Sequence, residues 1–131
     1  QLPGEIVDVL VIAKDTFDRF PEEVETLLKG WFKALNYLNT RPDEAASLMA
    51  RRLKISPAEV LTAYKGLILP SLAGNIELMD GPEAPLRKTA MKLAETMLRQ
   101  KLLQKEVVFK DFFNASVLKK IKASAPRVSV N

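Results

Sequence analysis

A mainly α-helical chain with one or two β-strands, forming a helical segment of a larger α/β lobe, is the fold class that this sequence predicts. Three observations predict it. A β-branched run near the N-terminus is apolar on both faces. Later segments repeat apolar residues at spacings of three and four, and Pro followed by acidic residues opens several of them.

The first element is Glu5-Ile6-Val7-Asp8-Val9-Leu10-Val11-Ile12-Ala13, a strand over 5–13 expected inside a sheet that helices cover. Asp15 to Phe20 form a turn or a single helical turn before Pro21 resets the backbone. From Pro21 to about Asn39 the pattern is helical. Glu22, Glu23 and Glu25 complement the positive end of the dipole, and Val24, Leu27, Leu28, Trp31, Leu35 and Leu38 make one apolar stripe. Phe32 and Tyr37 flank that stripe. Trp31 within it reads as core.

Arg41-Pro42-Asp43-Glu44 opens a shorter helix to about Leu53, with Ala45, Leu48, Met49 and Leu53 inward. Ser56-Pro57-Ala58-Glu59 fits a capping box, and its helix runs to Lys65 with Gly66 as the stop. Pro70, Gly74, Gly81 and Pro82 break the stretch 67–84 into a loop with one short helix after Ser71. A second long helix is predicted from about Ala84 to Leu103, with Leu86, Ala90, Leu93, Ala94, Met97 and Leu98 on one face. Val107 to Phe109 are extended or loop, Phe112 and Phe113 anchor a turn, and Ser116 to Ile121 form a last short helix. Residues 1–121 are thus a single partial domain, and 122–131 are a flexible C-terminal tail in which Val128 to Val130 offer an edge strand.

A strand apolar on both faces needs partners for its backbone donors and acceptors. The chain offers weak ones only, at 67–69, 107–109 and 128–130. The missing strands are therefore expected in another part of the parent protein or in a second copy of the chain.

Composition narrows the chemistry. The 131 residues suit one domain, and 47% apolar with 27% charged residues is ordinary for a globular chain. No apolar run approaches the roughly 18 residues that cross a bilayer. Cys and His are both absent. That removes thiolate zinc sites, Cys nucleophiles and every Ser-His or Cys-His arrangement. No catalytic residue, cofactor or metal site is predicted, and the chain is read as not an enzyme. The net charge of +4 is mild.

The remaining candidates read as structural. The acidic residues at helix starts suit the dipole, as do Arg51-Arg52 and Lys119-Lys120 in last turns. Arg87, Lys88, Lys92, Arg99 and Lys101 decorate a solvated face without the interleaved aromatics of a nucleic-acid platform, so no nucleic acid is expected as a partner. Asn114-Ala115-Ser116 matches a glycosylation sequon, but Asn114 reads as a helix cap. Gly4 and Gly30 are isolated.

Taken in order, Gly4 to Asp15, Phe20-Pro21-Glu22-Glu23-Val24, Leu28 to Leu35, Asn39-Thr40-Arg41-Pro42-Asp43-Glu44-Ala45-Ala46 and Ile55-Ser56-Pro57-Ala58-Glu59-Val60 resemble the C-terminal portion of a solute-binding protein of ABC importers, where the chain returns from the second lobe. Ala94 to Leu103 and Ala115 to Leu118 resemble its closing helices. The branch is that for nitrate, sulfonates such as taurine, and thiamine-precursor-like molecules, with the type II periplasmic-binding-protein fold. The resemblance implies two lobes that close on a small anionic or heterocyclic solute. It also implies a periplasmic or extracytoplasmic location and docking on an ABC permease. This chain would give structural support and little of the solute site, with Leu2, Pro3 and Gly4 next to the cleft. The alternative is a standalone helical interaction or sensor module that oligomerises by pairing its single strand.

Overall fold

The structure, a computed structural model, describes residues 7–110 and 112–124. Among them are seven helices: α1 (Lys14–Arg19), α2 (Pro21–Thr40), α3 (Pro42–Leu53), α4 (Pro57–Tyr64), α5 (Leu72–Met79), α6 (Pro85–Arg99) and α7 (Ser116–Ser124).

Local chemistry sets most of these boundaries. Pro occupies the first turn of α2, α3, α4 and α6, where its missing N–H has no helical partner to lose. The capping box of α4 forms as its sequence predicts. Ser56 Oγ accepts from the Glu59 N–H at 3.3 Å, and the Glu59 carboxylate accepts from the Ser56 N–H at 2.8 Å. The Ser56 hydroxyl also donates to the Glu59 carboxylate at 2.7 Å, and that bond, then the one from the Ser56 N–H, holds the Glu59 carboxyl below its ordinary pKa. Ser71 caps α5 by accepting from the Gly74 N–H, and Asn114 Oδ1 accepts from the Ser116 N–H at the start of α7.

α3 ends on Lys54, whose φ of 58° is left-handed, and the Ile55 N–H reaches the Ala50 carbonyl at 3.3 Å. Gly is the usual residue here, because a Cβ crowds the following carbonyl. Lys54→Gly is therefore expected to raise stability by about 0.5–1 kcal/mol, read as a higher midpoint in urea. A lower midpoint would mean that the Lys54 stem contributes more than its backbone costs.

The helices pack as two groups. In the first, α1 lies on α2, α2 on α3 and α3 on α4; in the second, α5 packs on α6 and α7. The groups meet principally through α7 against α2. One core lies between α3 and α4, where Ala46, Ala50 and Val60 are buried with Met49, Leu61 and Tyr64 around them. Small Ala side chains on α3 let the helices approach closely, which places Val60 in full contact. Elsewhere Val24 and Leu35 of α2 and Leu118 and Ile121 of α7 are buried, and α7 packs on both α2 and α5.

The expected strands are a correction. Among the described residues there is no strand, so the chain is all-helical there rather than helical with one or two strands. Residues 7–12 precede α1 without regular structure and make no backbone hydrogen bond to another described residue. β-branched composition favours extended backbone, but a ladder needs a neighbour, and none lies alongside. The segments 67–69 and 107–109 are not strands either. Glu5, Ile6 and Val128 to Val130 lie outside the described residues.

Smaller differences concern boundaries and faces. α6 ends at Arg99, four residues short of Leu103, because Lys101 turns left-handed (φ 61°) and the Leu102 N–H folds back to the Met97 carbonyl at 2.8 Å. α7 runs to Ser124, so Lys122 to Ser124 of the expected tail are helical; residues 125–131 lie outside the described set. On α3 the buried residues are Ala45, Ala46 and Ala50, while Leu48 and Leu53 are exposed.

Candidate functional site

Glu25 is where the two helix groups are tied. It sits one turn into α2, with Lys29 a turn further on and Lys120 arriving from α7. Both ammonium groups lie 2.6 Å from the carboxylate, whose side chain is only 13% exposed. The hydrogen bond from Lys120, then that from Lys29, pulls the Glu25 pKa below its ordinary value against the opposing effect of burial. The same contact raises the Lys120 pKa. Beside it, Lys119 Nζ lies 3.0 Å from Asp80 at the C-terminus of α5.

A depressed carboxylate pKa gives stability that is complete above the unfolded-state value and lost as pH falls through the folded one. Glu25→Gln is thus expected to lower the melting temperature at neutral pH. The gap to wild type should shrink as pH drops below the ordinary carboxylate range. A gap of constant size across that range would show that the ion pair contributes nothing.

One surface depression is a groove of ≈ 600 Å³ lined by Gly30, Lys33, Ala34, Asn36, Tyr37, Thr40 and Arg41. At its end the Tyr37 hydroxyl donates to Glu44 Oε2 at 2.7 Å. That bond raises the phenol pKa, and Arg41 approaches the same carboxylate at 3.5 Å. All the lining residues belong to α2 and its C-terminal flank. The polar residues of the groove join α2 to α3 and pair no nucleophile with a base. No three Asp or Glu residues among those described gather as a metal site.

The apolar surface is more informative. The stripe of α2 is covered on one side only. Val24 and Leu35 are buried, whereas Leu27 and Trp31, at one edge of the stripe, are 54% and 53% exposed. Trp31 is therefore not the core residue its spacing predicts. The segment before α1 is exposed as well, with Val9, Leu10 and Val11 in solvent and Val11 at 82%.

The cleft-adjacent candidates Leu2, Pro3 and Gly4 lie outside the described residues. Asn114 caps α7, as its place in sequence predicts. Lys119 and Lys120 are not last-turn residues complementing a dipole, since α7 continues to Ser124. Their role between helices had no local signal, because Glu25 and Asp80 are remote in sequence. Glu25 likewise looked like Glu22 and Glu23; only the arrival of α7 separates it from them.

No protein-family model, no curated protein and no solved structure matches the chain.

Proposed function

We propose that this chain is a non-catalytic helical part of an extracytoplasmic solute-binding protein serving ABC import. It supports the fold and supplies little of the solute site. The observation that carries this reading is the uncovered apolar edge, in which Val9, Leu10, Val11, Leu27 and Trp31 are all in solvent. Apolar surface left open in this way marks a place where another polypeptide surface belongs. The resemblance of Gly4 to Ile121 to the C-terminal portion of such binding proteins supplies that surface: the remainder of the parent protein. The solute is then small and anionic or heterocyclic, and the ABC permease is a partner of the intact protein.

The test is made on the natural gene product. Its intact mass is expected well above the 14.6 kDa of this chain. Calorimetric titration should detect a sulfonate, nitrate or pyrimidine ligand with the intact product and none with the 131-residue chain. A natural product of 14.6 kDa that is monomeric and binds no apolar dye would sink the reading.

A further inference from the structure

We propose that the C-terminal part of the chain, α6 and the segment after it, docks peripherally on an anionic lipid surface. Charge distribution is the first observation. Residues 85–131 hold 11 basic and 3 acidic residues, whereas residues 1–84 hold 9 basic and 13 acidic. The mild net charge therefore hides a strongly basic half, a pattern that points to a polyanionic partner.

The structure decides which of these charges are free to meet a partner. Lys88, Lys119 and Lys120 are neutralised by Glu83, Asp80 and Glu25, all from the acidic half. Lys92, Arg99, Lys101, Lys105 and Lys110 are exposed and make no ion pair with another described residue. At about 100° per residue, Lys92 and Arg99 share one narrow arc of α6 with the neutralised Lys88, and the exposed carboxylate of Glu95 lies on the same arc. The segment after α6 folds back along it, since Arg87 Nη1 donates to the Phe109 carbonyl at 3.0 Å and the Arg87 guanidinium lies over the Phe113 ring. Lys105 and Lys110 are thereby brought back beside the basic helix.

Exposed apolar residues are interleaved with these cations. Leu102, Val108 and Phe112, all in the segment after α6, are 70%, 79% and 67% exposed. Cations with protruding aliphatic side chains match the lipid interface, where headgroup charge and hydrocarbon are met together. Single-stranded nucleic acid fits less well, because it needs free aromatic faces on which its bases stack. Here Phe109 stacks on Phe113, which also carries Arg87, and both meet Phe112 edge-on. No described helix is long and apolar enough to cross a membrane, so docking is at the surface.

The test is co-sedimentation of the 131-residue chain with phosphatidylcholine vesicles, with or without about 30% phosphatidylglycerol. Anionic lipid is expected to raise the partition coefficient about tenfold, and about 0.5 M salt to abolish the gain. The triple variant Lys92→Glu, Arg99→Glu, Lys105→Glu should lose the preference for anionic vesicles. The pair Val108→Ser, Phe112→Ser should weaken binding about fivefold at unchanged charge. Circular dichroism confirms that each variant keeps its helices, and the salt response of the unaltered chain stands without any variant. Equal partition into both vesicles overturns the proposal, as does an unchanged preference in the triple variant. Tighter binding of a single-stranded oligonucleotide than of vesicles at equal salt overturns it in favour of nucleic acid.

Discussion

Leu118→Ala is expected to cost about 2–4 kcal/mol and to release α7 from α2 with little effect on the α3–α4 pair. Leu118 is buried beside Ile121 on the face of α7 that meets α2 and α5. Truncating it removes apolar contact at the principal joint between the two helix groups. The ion pair of Lys120 with Glu25 remains, but a largely surface contact does not replace a buried side chain. Hydrogen exchange followed by mass spectrometry checks the prediction. Amides of α5 to α7 should lose protection while those around Val60 keep theirs. An equal loss throughout would show that the two groups unfold as one unit, contrary to the packing described.

Val60→Asp is expected to abolish the cooperative unfolding transition at neutral pH, with a cost of about 4 kcal/mol or more. Val60 is fully buried against Ala46 and Ala50, and no polar or charged residue is buried among those described. A carboxylate placed there has no partner. Its pKa must rise, so the variant should recover stability as pH falls and the group becomes neutral. Val60→Ala, the milder change, is expected to cost about 2 kcal/mol. Thermal melts of both variants across pH distinguish the two causes: the Asp variant gains on acidification and the Ala variant does not. If Val60→Asp melts like the unaltered chain, the core between α3 and α4 is not where stability resides.

How much of this was legible in the sequence depends on the range of the interaction. Helix starts are local, and they were readable. Pro21, Pro42 and Pro57 mark the beginnings of α2, α3 and α4, and the Ser56–Glu59 pair forms the reciprocal bonds that its spacing predicts. Helix ends set by left-handed residues were less so, because Lys54 and Lys101 occupy places where glycine is expected. Burial was the least readable. Periodicity gives the direction in which an apolar stripe points, but how far the stripe is covered depends on neighbours distant in sequence. Trp31 and Leu27 share the stripe with Val24 and Leu35, yet only the latter are enclosed. The run 7–12 carries the same lesson for strands. Its composition suits a sheet, and nothing in the described chain pairs with it. For the site residues, Leu2 to Gly4 were chosen by resemblance alone, whereas the joint at Glu25 required α7 to be placed first.

The joint between α2 and α7 also fixes an order of events during synthesis. Most helix pairs in this chain are close neighbours in sequence, so they close short loops and form quickly. α2 and α7 stand apart, because almost the whole described chain separates Glu25 from Lys120. Their meeting carries the loop-closure entropy of that intervening length. On a ribosome, where the N-terminal helices emerge first, α2 lacks its α7 partner until Leu118 and Ile121 have left the exit tunnel. The nascent chain therefore presents a wider apolar surface than the finished one throughout most of its translation, and a chaperone would find its target there.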